Sequence, residues 1–240
     1  MKNMHSIRMG SSDRYAIDDV AFIGRTVAEY GRMFDLDLAA WEGKSVLDCP
    51  GGACAFVAEA NARGIDAVGV DMLYDTPPEE LRARCEADID TAIAGFEGVE
   101  DQFVWEFYDD VADVRTHWTA AAERFVADYA DRFDTDRYVA ARLPDLPFAA
   151  DSFSLVLSAH LLFLYMDELG DEFHERSLLE LARVASEEVR IYPLVRFDGK
   201  RYPRLDDLRA TLADEGYETE IRSVPFEFQR GADELLRIDV

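Results

Sequence analysis

Two acids and a pair of glycines are the residues of this chain best able to do chemistry. Asp48 closes a short apolar run at residues 45–47, Pro50, Gly51 and Gly52 follow as a tight turn, and Asp71 ends a second apolar run at 67–70. Glycine has no Cβ, so such a turn lets backbone N–H groups at a helix start approach a ligand closely. An acid about 20 residues beyond a glycine turn is where a βαβ unit holds ribose hydroxyls. The spacing predicts a site for a nucleoside-bearing cofactor. The dinucleotide fingerprint G-x-G-x-x-G fits no register over residues 49–56, because Gly51 and Gly52 are adjacent and the next glycine is Gly64. That argues against a nicotinamide oxidoreductase.

Elements must hold these groups in place. Apolar spacing predicts a strand at 45–47, a helix over 56–63 stopped at Gly64, and a strand at 67–70 ending on Asp71. Further along, 155–157 and 189–194 read as strands, 205–215 as an amphipathic helix stopped at Gly216, and 218–228 with 234–240 as β-rich. Before the turn, Val20, Phe22, Ile23, Val27, Tyr30, Met33 and Phe34 form one apolar face of a helix within 15–40. Between the second and third strands lie about 60 residues where one helix would do. Pro77 and Pro78 start a helix that runs over 81–94, and 104–133 reads as a further helix carrying Trp105, Phe107, Tyr108, Val111, Trp118, Phe125 and Tyr129. Aromatics at helical spacing are core, or else a lid that keeps water from a reacting centre.

Aligned on D-x-G-x-G-x-G, the chain reads Asp48, Cys49, Pro50, Gly51, Gly52, Ala53, Cys54. Residues 146–158, LPFAADSFSLVLS, follow the pattern L-P-F-x-x-x-S-F-D-x-V-x-S with Ser154 in place of the aspartate. In these two stretches, in this order, the chain resembles class I S-adenosylmethionine-dependent methyltransferases of the type 11 kind. The resemblance covers roughly 40–240 less the insertion. It departs from the first motif at Pro50 and Cys54, and has Arg142 where the family often places an acid after strand 3, with Asp145 the substitute. It implies an α/β, Rossmann-like class I methyltransferase fold: a mostly parallel seven-stranded sheet with helices on both faces and a helical insertion between strands 2 and 3. The expected organisation is one domain over 1–240, with an N-terminal helical cover at 1–40 and the insertion, a lid, at 76–137.

The resemblance also implies roles. S-adenosylmethionine is the cofactor, with Asp48, Pro50, Gly51 and Gly52 at its methionine end, Asp71 on the ribose hydroxyls, Met72 on one face of the adenine, Leu143 and Asp145 bordering the adenine, and Ser158 at the end of strand 4. Methyl transfer is an in-line displacement that needs alignment, plus proton removal when the acceptor is a neutral oxygen or nitrogen. His160 follows strand 4 and is the expected base, since histidine titrates near neutrality. Arg25, Tyr30 and Tyr165 are the expected substrate contacts, with Tyr192 a further wall residue and His117 a packing residue or a contact. The acceptor is expected to be a small molecule. A catalytically silent cofactor-binding module and a protein or RNA methyltransferase are the alternatives.

At 240 residues the chain can bury a substantial core in one unit. Its 50 acids against 25 bases give a formal net charge of −25, with lysine only at positions 2, 44 and 200. The acids are spread along the chain, a solvation coat of the haloarchaeal type rather than a docking tail. Such a field repels nucleic-acid phosphates. No metal site is expected from three cysteines without ligand spacing, and a reduced, cytoplasmic setting fits them. No apolar run approaches the roughly 18–20 residues of a membrane span, and residues 1–15 lack the apolar stretch of a signal peptide.

Overall fold

The computed structural model describes residues 20–165 and 169–240. Seven strands form one sheet in the order β3-β2-β1-β4-β5-β7-β6. They are β1 (Ser45–Asp48), β2 (Asp66–Asp71), β3 (Tyr138–Ala140), β4 (Phe153–Ala159), β5 (Ala185–Tyr192), β6 (Glu218–Ser223) and β7 (Glu234–Asp239). The first five pair in parallel, and β7 runs antiparallel between β5 and β6. This is the Rossmann-like class I methyltransferase fold expected from the motifs.

β1 lies at the centre, with Val46 opposite Ala67 on one side and Leu155 on the other. A strand buried on both faces has no use for polar alternation, which is why it reads as an unbroken apolar run. Val46 joins the core on one face and Leu47 the core on the other. The helices α1 (Val27–Met33), α2 (Phe56–Asn61), α3 (Pro78–Ala94) and α4 (Val111–Arg132) contribute to the first core. Helices α5 (Asp171–Val184) and α6 (Leu205–Asp214) contribute to the second through Leu178, Leu181, Leu208 and Leu212. From β1 the chain moves outward to β2 and β3, then returns to place β4 on the other side of β1. That reversal leaves a crevice beyond the carboxyl ends of β1 and β4, where open α/β sheets bind ligands.

Three expectations are corrected. The helix expected within 15–40 is only Val27–Met33 among the described residues; residues 1–19 lie outside them. It begins at a capping box in which Thr26 and Glu29 bond each other's backbone, and residues 20–25 run across the glycine turn instead. There the Ala55 amide donates to the Arg25 carbonyl at 3.0 Å, and a Cβ on Gly24 would lie 1.8 Å from the Ala53 carbonyl oxygen. The second correction concerns 104–133, where α4 starts only at Val111, capped by Asp110 on the Asp113 amide at 2.9 Å. Residues 102–104 pair instead with the loop between β6 and β7: Phe103 bridges Gln229, the Val104 amide donates to the Phe228 carbonyl at 2.7 Å, and the Arg230 amide to the Gln102 carbonyl at 3.0 Å. This partner lies more than 100 residues away, so local spacing carries no trace of it. Third, β5 stops at Tyr192, because Pro193 has no N–H to continue a ladder.

Candidate functional site

A cavity of about 700 Å³ occupies the crevice. At one end its wall is the turn after β1 (Cys49 to Gly52), the end of β2 (Asp71 to Leu73) and the loop after β3 (Ala141 to Asp145). At the other end, the residues after β4 and β5, including His160 and Tyr192, meet aromatic side chains of the insertion and of the β6–β7 loop.

Asp48 does not reach this cavity. Its carboxylate is fully buried, and the Tyr30 hydroxyl sits 2.9 and 3.1 Å from its two oxygens and 3.2 Å from Cys54 Sγ. Burial pushes the Asp48 pKa up to about 8; the Tyr30 hydrogen bond opposes this and the Asp71 charge adds to it. Asp48 is therefore mostly a neutral acid at pH 7. Tyr30, expected as a substrate contact, is likewise fully buried, stacked on Phe56 with ring centroids 4.9 Å apart. A phenol used to satisfy a buried acid beneath the turn is not available to a ligand above it. Ser158 is also buried, and its hydroxyl has no hydrogen-bond partner. None of the three lines the cavity.

Pro50, Gly51, Gly52, Asp71, Met72, Leu143 and Asp145 all do line it. The turn, however, is wired inward. The Gly51 amide donates to the Val70 carbonyl at 2.7 Å, and the Gly52 amide, at φ +50°, donates to Asp71 Oδ2 at 3.2 Å. The expected cradle of amides open to a ligand is thus corrected: two of its donors tie the turn to β2. Asp71 also accepts the Leu73 amide on Oδ1 at 3.0 Å, so this acid fastens the turn as well as facing the cavity. Burial raises its pKa to about 6, opposed first by the Leu73 and Gly52 amides. Met72 is 59% exposed. Asp145 pairs with Arg176 at 3.2 Å.

His160 lies at the cavity wall with φ +54°, its amide donating to the Tyr192 carbonyl at 2.8 Å. Burial, then the nearby Arg25 charge, hold its pKa well below the usual value. The ring is neutral at pH 7, with one nitrogen carrying a proton and the other able to accept one, but weakly basic. Arg25 also lines the cavity. Its guanidinium lies 4.5 Å over the Trp118 ring, and its Nε faces the fully buried Glu29 carboxylate at 3.4 Å. Glu29 in turn accepts from the Thr26 amide at 2.7 Å, the Thr26 hydroxyl at 2.7 Å and the Tyr108 hydroxyl. Tyr165 is buried at the wall, its hydroxyl accepting the Ala21 amide at 3.3 Å. His117 does not line the cavity; it packs against Phe107 and Tyr108.

At the aromatic end the sequence reading had Trp118 in a core or lid helix and Tyr192 as a wall residue, but missed Phe96, Phe103, Phe226 and Phe228. The Phe103 and Phe228 rings lie tilted with their centroids 4.8 Å apart, and the Phe96 ring lies 4.7 Å from Phe103 and 6.0 Å from Trp118. The Tyr192 hydroxyl donates to the Ala232 carbonyl at 2.7 Å and pins the β6–β7 loop above the strand ends. The only available signal was aromatic density in 96–118 and at 226–228, which does not say which residues share a wall. Among the described residues no group of three or more His, Cys, Asp or Glu side chains is placed to hold a metal, and no helix is long and apolar enough to cross a membrane.

No protein-family model matches the chain. Among solved structures it is similar to the 1,6-didemethyltoxoflavin-N1-methyltransferase of Burkholderia thailandensis, solved with 1,6-didemethyltoxoflavin and S-adenosylhomocysteine (TM-score 0.49, 13% identity, 88% of this chain and 77% of that one). It is also similar to the magnesium protoporphyrin IX methyltransferase of Synechocystis, solved with S-adenosylmethionine (TM-score 0.45, 12% identity, 84% of this chain and 74% of that one). The ligands of those proteins belong to them. Sequence similarity reaches further: with 30% identity over 223 residues, 92% of this chain and 97% of the relative, the chain belongs to the same family as the uncharacterized protein MJ0045 of Methanocaldococcus jannaschii.

Proposed function

We propose that this protein is an S-adenosylmethionine-dependent methyltransferase acting on a small molecule. The observation that carries the reading is one continuous cavity at the β1/β4 switch point, with a strand-end acid, Asp71, at one end and an aromatic chamber containing His160 and Arg25 at the other. The residues fit the nucleoside part of the cofactor: Asp71 would accept the ribose hydroxyls, and Met72, Leu143 and Asp145 would border the adenine. The methionine end would lie along Pro50, Gly51 and Gly52, with Asp48 supporting the turn from below. The bound cofactor supplies an electrophilic methyl group. The protein's part is to align the acceptor and exclude water, which the roof formed by 96–118 and 226–232 serves. His160 would serve as the base only where the acceptor is a neutral oxygen or nitrogen.

A recessed cavity of this size suits a small acceptor better than a macromolecule. Three free, buried cysteines suit a reducing compartment, as in the cytoplasm. The inward-wired amides of Gly51 and Gly52 favour one rival, a module that binds the cofactor without turning it over. Calorimetric titration with S-adenosylmethionine and S-adenosylhomocysteine, in molar salt to suit the acidic coat, tests the proposal. Binding of both, followed by methyl turnover with an acceptor, supports the enzyme. Binding without turnover across acceptor pools points to the module, and no binding by folded protein removes both.

A further inference from the structure

The acceptor end of the cavity has a chemical character of its own. Its wall is aromatic, with Phe96, Phe103, Trp118, Tyr192, Phe226 and Phe228 all on it. Aromatic surfaces favour flat π-systems through offset or edge contacts worth about 0.5–1.5 kcal/mol per ring pair beyond area burial. Among these rings sits a cation. In a chain of net charge −25, the cavity wall nevertheless carries Arg25, Arg84 and Arg142 against Asp71 and Asp145. Arg84 is bound to Asp88 at 2.6 Å, and of the three only Arg25 stacks on an aromatic wall residue.

Arg25 is also well fixed. Its backbone is tied to the glycine turn on both sides, the amide to Cys54 Sγ at 3.3 Å and the carbonyl to the Ala55 amide at 3.0 Å. Glu29 holds the Nε edge, and Trp118 supports the guanidinium plane. Its charge is felt across the acceptor end, where it adds to the burial that holds the His160 pKa down and opposes the burial that pushes the Tyr192 hydroxyl up. Burying a guanidinium is costly unless it is paired and hydrogen-bonded, and Glu29 supplies that pairing on the Nε side. Arginine is the side chain suited to planar recognition of carboxylates and other oxyanions while stacked on an aromatic face.

We propose that the acceptor is a flat aromatic molecule bearing an oxyanion, a carboxylate or an acidic hydroxyl, whose negative oxygen is held by Arg25 and whose ring lies against the aromatic wall. This rests on the methyltransferase reading for the word acceptor, but the binding preference stands separately. Methylation of an oxyanion leaves no proton to remove: the oxygen's electron pair forms the new O–C bond, and the pair of the broken S–C bond stays on sulfur. A weakly basic His160 is consistent with that demand.

The test uses 2-naphthoate and its neutral isostere 2-naphthamide, titrated into the full-length protein with and without S-adenosylhomocysteine. Naphthoate should bind roughly tenfold more tightly than the amide. In Arg25→Gln the preference should collapse to about twofold or less, whereas Arg25→Lys, which keeps the charge, should retain part of it; the lysine variant decides the matter if the glutamine variant does not fold. Equal affinity for the two probes in the native protein, or no binding of either, overturns the inference. Naphthoate preference without any S-adenosylhomocysteine binding keeps the aromatic-anion site and removes the methyltransferase reading.

Discussion

The two ends of the cavity are built in opposite ways. The proposed cofactor end is made by contiguous stretches at consecutive strand ends: Cys49 to Gly52 after β1, Asp71 to Leu73 after β2 and Ala141 to Asp145 after β3. The proposed acceptor end gathers Arg25 from ahead of α1, Phe96 and Phe103 from between α3 and α4, Trp118 from α4, Tyr192 from β5 and Phe226 and Phe228 from the β6–β7 loop. The first end is polar and held by short backbone hydrogen bonds; the second is aromatic and held by side-chain packing and a few long-range amides. A local polar site can keep its form while its surroundings change. An assembled aromatic one depends on every segment arriving.

That contrast can be broken in order of expected effect. The largest test concerns the buried acid beneath the cofactor end. Because the folded-state pKa of Asp48 is about 8 against an ordinary 3.8, folding takes up a proton between those values, so its burial destabilises the protein increasingly as pH rises from about 4 to about 8. Asp48→Asn removes this penalty, worth up to about 5 kcal/mol at 1.36 kcal/mol per unit. Its melting temperature should exceed the native one at pH 8 and match it near pH 4; a constant offset across pH would show that Asp48 is ionised in the fold.

Phe103→Ala comes next. Removing this ring from its contacts with Phe96 and Phe228 should cost about 3 kcal/mol in denaturant unfolding and abolish naphthoate binding. Affinity for S-adenosylhomocysteine should change by less than about threefold. A parallel loss of both ligands would mean that the two ends are one unit.

Gly24→Ala attacks the place where the ends are joined. The new methyl group would overlap the Ala53 carbonyl, lifting residues 20–26 from the turn at a cost of about 2 kcal/mol. Both ligands should weaken together, because Arg25 and the turn share that contact. Preserved binding of either one would place it clear of the Gly24 crossing.

The smallest effect is a pH dependence at the cofactor end. With a pKa of about 6, Asp71 loses its charge as pH falls, and an ionised carboxylate accepts ribose hydroxyls better than a neutral acid. S-adenosylhomocysteine affinity should therefore drop by roughly tenfold from pH 7 to pH 5. The same carboxylate holds the Gly52 and Leu73 amides, so Asp71→Ala disturbs the turn as well as the ligand. Calorimetry across pH on the native protein separates the two.

What the chain's order of residues determined by itself was local. The apolar run into Asp48, the glycine turn, the second run into Asp71 and the LPF stretch before β4 place strand, turn and acid within a few residues of one another, and short-range sterics and hydrogen bonding suffice to specify them. The fold followed because parallel strands buried on both faces can be arranged around such units in few ways. Only the tertiary structure decided that Asp48 and Tyr30 turn inward to each other, that Gly51 and Gly52 give their amides to β2, and that Phe103 and Phe228 meet. Each of those outcomes depends on which partner packing brings near, and a buried polar group or an aromatic ring accepts whichever partner satisfies it, however distant in the chain.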